Sequence, residues 1–328
     1  MHSFLLSFPL IALAQQSFTV DLTARIADPL NFPLLDCVGS GHGSLGTRAD
    51  YQQHLAAVQR DIGFKHIRGH GLFDDDMSTL LDGKPNLYNL FRVFDYYLSV
   101  NIRPIFELSF MPEALASDPS ATIMHYKGGT SPPKDPQAWA ALVAGVVQGC
   151  VDRYGVEEVR TWRFEVWNEP NGCGFWCPAS KNYQAEYFDF YNYTSHAVRS
   201  VDALLSVGGP ATAGLAWVPE FANYTNTVGA PRSFVSTHSY PTDLRHGAFN
   251  RTSWEEGVIA AAEEAGAAGL PLVLTEMSAG LNNAYDAPFA ASFLAHTAAA
   301  FLGVPNVPTL SFWTFTDVFE EPGMNSVP

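Results

Sequence analysis

From residue 34 to residue 315 the chain repeats one pattern: a short apolar run, a polar or glycine-rich break, then a longer stretch with apolar residues at helical spacing. The short runs are Leu34–Val38, His66–Arg68, Pro104–Leu108, Trp162–Trp167, Leu205–Val207, Phe234–Thr237, Leu272–Leu274 and Thr309–Phe315. Between them lie Asp50–Ile62, Tyr88–Val100, Pro136–Tyr154, Tyr183–Val201, Val218–Val228, Ser253–Ala265 and Pro288–Leu302. In the first of these, Leu55, Val58 and Ile62 fall on one helical face. Strict alternation of strand and helix implies parallel pairing, because parallel neighbours can be joined only by a crossover. Eight repeats in about 280 residues predict an α/β fold, a closed (β/α)8 TIM barrel, rather than an open doubly wound sheet. Gly39-Ser40-Gly41-His42-Gly43 after the first strand lacks both the GxGxxG spacing and a clean following helix, so no dinucleotide fold is indicated. No Walker motif, internal repeat or linker divides the chain, and residues 17–328 read as one catalytic-size domain.

Composition removes several function classes. The 18 basic and 33 acidic side chains give a net charge of −15, with no basic run. Nucleic acid is therefore not an expected partner, since phosphate backbones need clustered Lys and Arg. Residues 47% hydrophobic and 13% aromatic supply a large core and exclude disorder. The run Phe4–Ala14, ending in Ala12-Leu13-Ala14, is too short to span a bilayer at about 20 residues. It reads as a secretory signal over residues 1–16, which predicts a secreted protein or one of a lysosome-like compartment. No later stretch is apolar enough for a membrane span. Asn192, Asn223 and Asn250 each open an N-glycosylation sequon. The four cysteines make neither a disulfide framework nor a zinc pattern. Cys173 and Cys177 are close enough for a loop disulfide in an oxidising compartment, the alternative being four unlinked thiols.

In a barrel of this kind chemistry sits where the strands end. The fourth strand ends in Phe164-Glu165-Val166-Trp167-Asn168-Glu169-Pro170-Asn171, and alternation sends Glu165 and Trp167 to one face, with Asn168 and Glu169 at the rim. The seventh ends in Thr275-Glu276. Two rim carboxyl groups suit glycoside hydrolysis, in which one protonates the leaving oxygen and the other attacks the anomeric carbon or activates water. Repulsion and partial burial are expected to raise the proton donor while the nucleophile stays ionised. Arg68 and His70 end the second strand, and Arg68 can orient a carboxylate through paired bonds. His238 and Tyr240 project the same way from the sixth, and Trp313 from the eighth, which continues to Asp317, Glu320 and Glu321. No HExxH, His-x-His or ligand-spaced cluster calls for a metal, and Asp74-Asp75-Asp76 reads as a solvated loop. No Gly-x-Ser-x-Gly elbow is present, and no cofactor is indicated.

These residues resemble glycoside hydrolase family 39, in its β-xylosidase branch within the clan A retaining glycosidases. The likeness runs through Cys37–Gly41, Ile62–Gly71, Asn101–Pro104, Phe110–Ser117, Arg160–Asn171, Val207–Pro210 and Phe312–Glu321. It implies a retaining double displacement on a carbohydrate partner, with Glu169 as acid/base, Glu276 as nucleophile and Asn168 bonded to the sugar 2-hydroxyl. It implies that His238 and Tyr240 flank the nucleophile, and that His70, Trp313, Glu320 and Glu321 contact the sugar. After Glu276 the chain reads Met277-Ser278-Ala279, which departs from the family pattern. The resemblance also implies an eighth helix and a β-sandwich domain, for which the chain has no counterpart, so a barrel lacking both is expected. Three readings stand: a secreted β-xylosidase, an α-L-iduronidase-like enzyme, and a non-catalytic carbohydrate-binding barrel. The acidic balance favours a neutral sugar over an acidic one. Oligomeric state is not encoded in any pattern found.

Overall fold

The computed structural model describes residues 32–246, 249–280 and 288–316. Residues 1–16, Asp317, Glu320 and Glu321 lie outside them. Strands β1 (Cys37–His42), β2 (His66–His70), β3 (Arg103–Glu107), β4 (Arg163–Glu165), β5 (Ser206–Thr212), β6 (Phe234–His238), β7 (Leu272–Met277) and β8 (Thr309–Phe312) form a closed parallel barrel in sequence order. β8 meets β1 through Val38 and Phe312. Helices α1 (Ala49–Asp61), α2 (Tyr88–Ser99), α3 (Pro136–Tyr154), α4 (Tyr183–Val201), α5 (Val218–Val228), α6 (Arg251–Ala267) and α7 (Pro288–Ala300) are the crossovers. The fold is a (β/α)8 barrel, as the alternation predicts. None of the described helices is long and apolar enough to cross a membrane.

Local chemistry explains the borders. In α3 the Asp135 side chain accepts from the amides of Gln137 and Ala138, and Pro136 occupies the first turn, where its missing N–H costs nothing. The first strand begins at Cys37 rather than Leu34 because Pro33–Leu35 form a 3-10 turn. β4 stops at Glu165, short of the expected Trp167, because Trp167 and Glu169 adopt left-handed backbone, φ 73° and 43°. Two hairpins, Leu80–Leu81 with Lys84–Pro85 and Thr122–Ile123 with Gly128–Gly129, and a one-turn helix at Val156–Val159 are too short to leave a periodic signature.

The main apolar core lies between barrel and helices, whereas the barrel interior is filled in layers. Cys37, Ile105, Phe234 and Val273 make a separate buried cluster inside it. Two residues further along their strands, on the same face, the filling turns polar at Glu107 and Thr275. At the opposite end Asp36, just before β1, receives Nη1 of Arg163 on β4 at 2.7 Å and the hydroxyl of Thr309 on β8. Burial alone would raise the Asp36 carboxyl, but His66 and the Arg163 guanidinium hold it well below the usual carboxylate range.

Candidate active site

Arg68, fully buried on β2, organises the C-terminal end of the barrel. Its Nε donates to Glu165 at 2.5 Å, Nη1 to Glu276 at 2.8 Å and Nη2 to the side-chain oxygen of Asn168 at 2.9 Å. Nη2 also lies 2.6 Å from Glu107. Three carboxylates thus converge on one guanidinium, whose planar fork can serve several acceptors at once. His70 Nδ1 is 2.8 Å from Glu107, and its Nε2 is 3.5 Å from Glu276. Tyr240 donates its hydroxyl to the other oxygen of Glu276 at 2.8 Å.

Glu169 reaches the same place from the turn after β4. His238 Nδ1 lies 2.9 Å from one Glu169 oxygen and 3.6 Å from one of Glu276. An oxygen from each carboxyl group and a nitrogen of His238 lie within 4.8 Å of one another. Pairing between β6 and β7 slips between Thr237 and His238, so that His238 pairs with Glu276 and the two side chains meet at the rim.

The electrostatics follow from burial. Glu276 is 8% exposed at its side chain and Glu169 21%. Burial raises the Glu276 carboxyl above its ordinary value, against the pull of His238, Arg68 and His70. The neighbouring Glu169 carboxyl adds to that rise. Burial pushes the His238 imidazole down to about 4, which keeps that ring neutral at physiological pH. At Glu107 burial acts upward too, but Arg68 and His70 outweigh it and hold the carboxyl below its usual value.

Around these groups stand aromatic rings. Trp313 lies 4.7 Å from His70 between ring centroids. A Cβ on Gly39 would come within 2.4 Å of Trp313 Cε3, so only glycine admits the indole there. Phe175 stacks on Phe110 at 5.9 Å and lies 6.3 Å from His70. A disulfide joins Cys173 and Cys177 on either side of that phenylalanine, while Cys37 and Cys150 are buried free thiols.

Glu169, Glu276, Asn168, Arg68, His70, His238 and Tyr240 are therefore brought together, with Trp313 beside them. Trp167 is a correction: the left-handed turn removes it from the face of Glu165 and packs it with Trp139, Trp176 and Phe190. Asp74 is a second correction. It is 3% exposed, pairs with His42 at 3.2 Å and accepts the Phe110 amide, and burial pushes its carboxyl up to about 6. His42, Asp74 and Asp76 bring three potential ligand atoms within 4.8 Å. His42 is held there by Ser44 on its other ring nitrogen at 2.9 Å, so the group reads as a hydrogen-bonded chain. Asn223 and Asn250 are exposed, whereas Asn192 is half-buried within α4. The sequon hydroxyl of Thr194 is taken up by Trp139.

Glu107 and Glu165 were not singled out by sequence reasoning as members of the site. A signal existed in each case: a glutamate inside an otherwise apolar barrel strand, Phe106-Glu107-Leu108 and Phe164-Glu165-Val166. A charge in such a strand either faces solvent or must be paired inside.

The family model of glycosyl hydrolases family 39 matches residues 20–328. A β-xylosidase of Caldicellulosiruptor saccharolyticus is 39% identical over 315 residues, covering 89% of this chain and 62% of the relative. A β-xylosidase of Geobacillus stearothermophilus is 39% identical over 312 residues, covering 87% of this chain and 61% of the relative. Among solved structures, a GH39 β-xylosidase from Caulobacter crescentus superposes with a TM-score of 0.82 at 36% identity, covering 91% of this chain and 66% of that one. The chain thus spans about three-fifths of the length of the curated relatives it matches.

Proposed function

The chain belongs to glycosyl hydrolase family 39, and we propose that it is a retaining glycoside hydrolase that releases terminal β-D-xylosyl residues. The observation that carries this reading is the approach of Glu169 and Glu276, with an oxygen of each inside a 4.8 Å group. That spacing suits direct attack on the sugar, for which carboxyl groups stand about 5–5.5 Å apart. An inverting enzyme instead sets its carboxyl groups about 6.5–9.5 Å apart to admit an intervening water.

In the proposed mechanism Glu276 attacks the anomeric carbon as Glu169 gives its proton to the glycosidic oxygen, breaking the bond to the leaving group. Water, deprotonated by Glu169, then displaces Glu276 and restores both groups. The assignment follows the environments: Glu276 is held by Arg68 and Tyr240, donors suited to an anion, while the more exposed Glu169 is open to water. Asn168 has its side-chain oxygen engaged by Arg68, leaving its amide NH2 for a sugar hydroxyl. His70 and the Trp313 ring offer a polar and an apolar contact, with Glu320 and Glu321 as further proposed sugar contacts. The Cys173–Cys177 disulfide supports an oxidising compartment, and with the apolar leader it favours secretion.

The test is hydrolysis of an aryl β-D-xyloside with the first-formed anomer followed by proton NMR. The expected outcome is turnover with β-xylose appearing first, and a loss of about 10²–10⁴-fold in kcat for Glu169→Gln. Glu276→Gln should abolish formation of the glycosyl-enzyme. A first-formed α anomer would refute the retaining mechanism. Sugar binding without turnover would leave a binding protein, and preference for an aryl α-L-iduronide would replace the substrate.

A further inference from the structure

We propose that Glu165 is a positioning residue of this reaction: from beneath the site it fixes Arg68 and Thr275, and so determines where the Glu276 carboxylate points and how much of the guanidinium it receives. This rests on the assignment of Glu276 as nucleophile.

Glu165 is fully buried and touches the nucleophile's surroundings twice. One oxygen takes Nε of Arg68, and the other takes the hydroxyl of Thr275, the residue preceding Glu276, at 2.8 Å. A carboxylate on Nε fixes the guanidinium plane and leaves the two terminal nitrogens to point at Glu276 and Asn168. Glu165 also pairs in register with Glu107 on β3, so two like charges face each other within the barrel. Such a pair is unfavourable for folding unless a cation bridges it. Arg68 is that bridge, 2.6 Å from Glu107 and 2.5 Å from Glu165. Shared three ways, its charge reaches Glu276 only in part. A carboxylate stabilised by an undivided guanidinium would be a weaker nucleophile, so the buried pair preserves reactivity.

Among the described residues, the charged and titratable groups around Glu276 are Arg68 and His70 from β2, Glu107 from β3, Glu165 and Glu169 from β4 and its turn, and His238 and Tyr240 from β6 and its end. Glu165→Gln removes one negative charge from this set and frees Arg68 towards Glu276. Both changes favour the ionised nucleophile, so the acid limb of kcat/KM, which reports free-enzyme ionisation, should move to lower pH.

The experiment compares pH profiles for aryl β-xyloside hydrolysis by the full chain and by Glu165→Gln, Glu165→Asp and Thr275→Val. For Glu165→Gln the expected result is that acid-limb shift, with kcat reduced about tenfold and KM little changed. Glu165→Asp, which keeps the charge, should retain the parent's acid limb. Thr275→Val, which keeps every charge, should lower kcat without moving the limb, and it carries the test if Glu165→Gln does not fold. An unmoved limb in folded Glu165→Gln, or parent kcat in Thr275→Val, would overturn the proposal. A parent chain that hydrolyses no xyloside would instead refute the assigned function.

Discussion

His238 lies between the two rim carboxyl groups, completely buried, and carries a testable consequence of that position. An imidazole denied solvent resists protonation, and here it is pushed down to about 4. The folded chain therefore binds fewer protons at this site than the unfolded chain between about pH 4 and the unperturbed 6.5. Its contribution favours folding above that window and is lost as pH falls through it. Imidazole 15N NMR should show His238 unprotonated down to about pH 5; a midpoint near 6.5 would contradict the burial argument. Glu169 and Glu276 were legible in the sequence because each ends an apolar strand. Glu107 and Glu165 were less so, because what marks them is the partner Arg68, 39 and 97 positions away, which only closure of the barrel brings near.

The strands and helices themselves were legible because their periodicities differ and the caps are chemically explicit. Helix α3 buries Trp139, Leu142, Val143, Val146, Val147 and Cys150, spaced three and four apart. Replacing its cap, Asp135→Ala, leaves two amides to water and should cost about 1 kcal/mol in chemical denaturation, with activity retained. What periodicity could not supply was the departure from it. Alternation predicts Trp167 beside Glu165, but two left-handed residues turn the chain after β4, swinging Trp167 into the aromatic core. Strain of this kind belongs where a side chain must be aimed, and the one delivered here is Glu169. The hairpins and the disulfide loop carrying Phe175 were likewise beyond periodicity, being too short to repeat anything.

Across the molecule, closure and chemistry occupy opposite ends of the barrel. Asp36 ties the start of β1 to Arg163 on β4 and Thr309 on β8. Asp36→Asn would leave the Arg163 charge without its buried partner and should cost about 3 kcal/mol at pH 7. Because the folded carboxyl is held below its unfolded value, the stabilisation is complete above about pH 4 and is lost as pH falls. The gap between parent and variant in thermal unfolding should narrow accordingly. At the other end the balance is reversed, with three carboxylates gathered on one guanidinium. The oxocarbenium-like state of glycoside cleavage is positively charged. Among the described residues the carboxylates outnumber the guanidinium three to one at this end, and under the proposed reaction the positively charged sugar at the summit of its barrier would be their electrostatic complement.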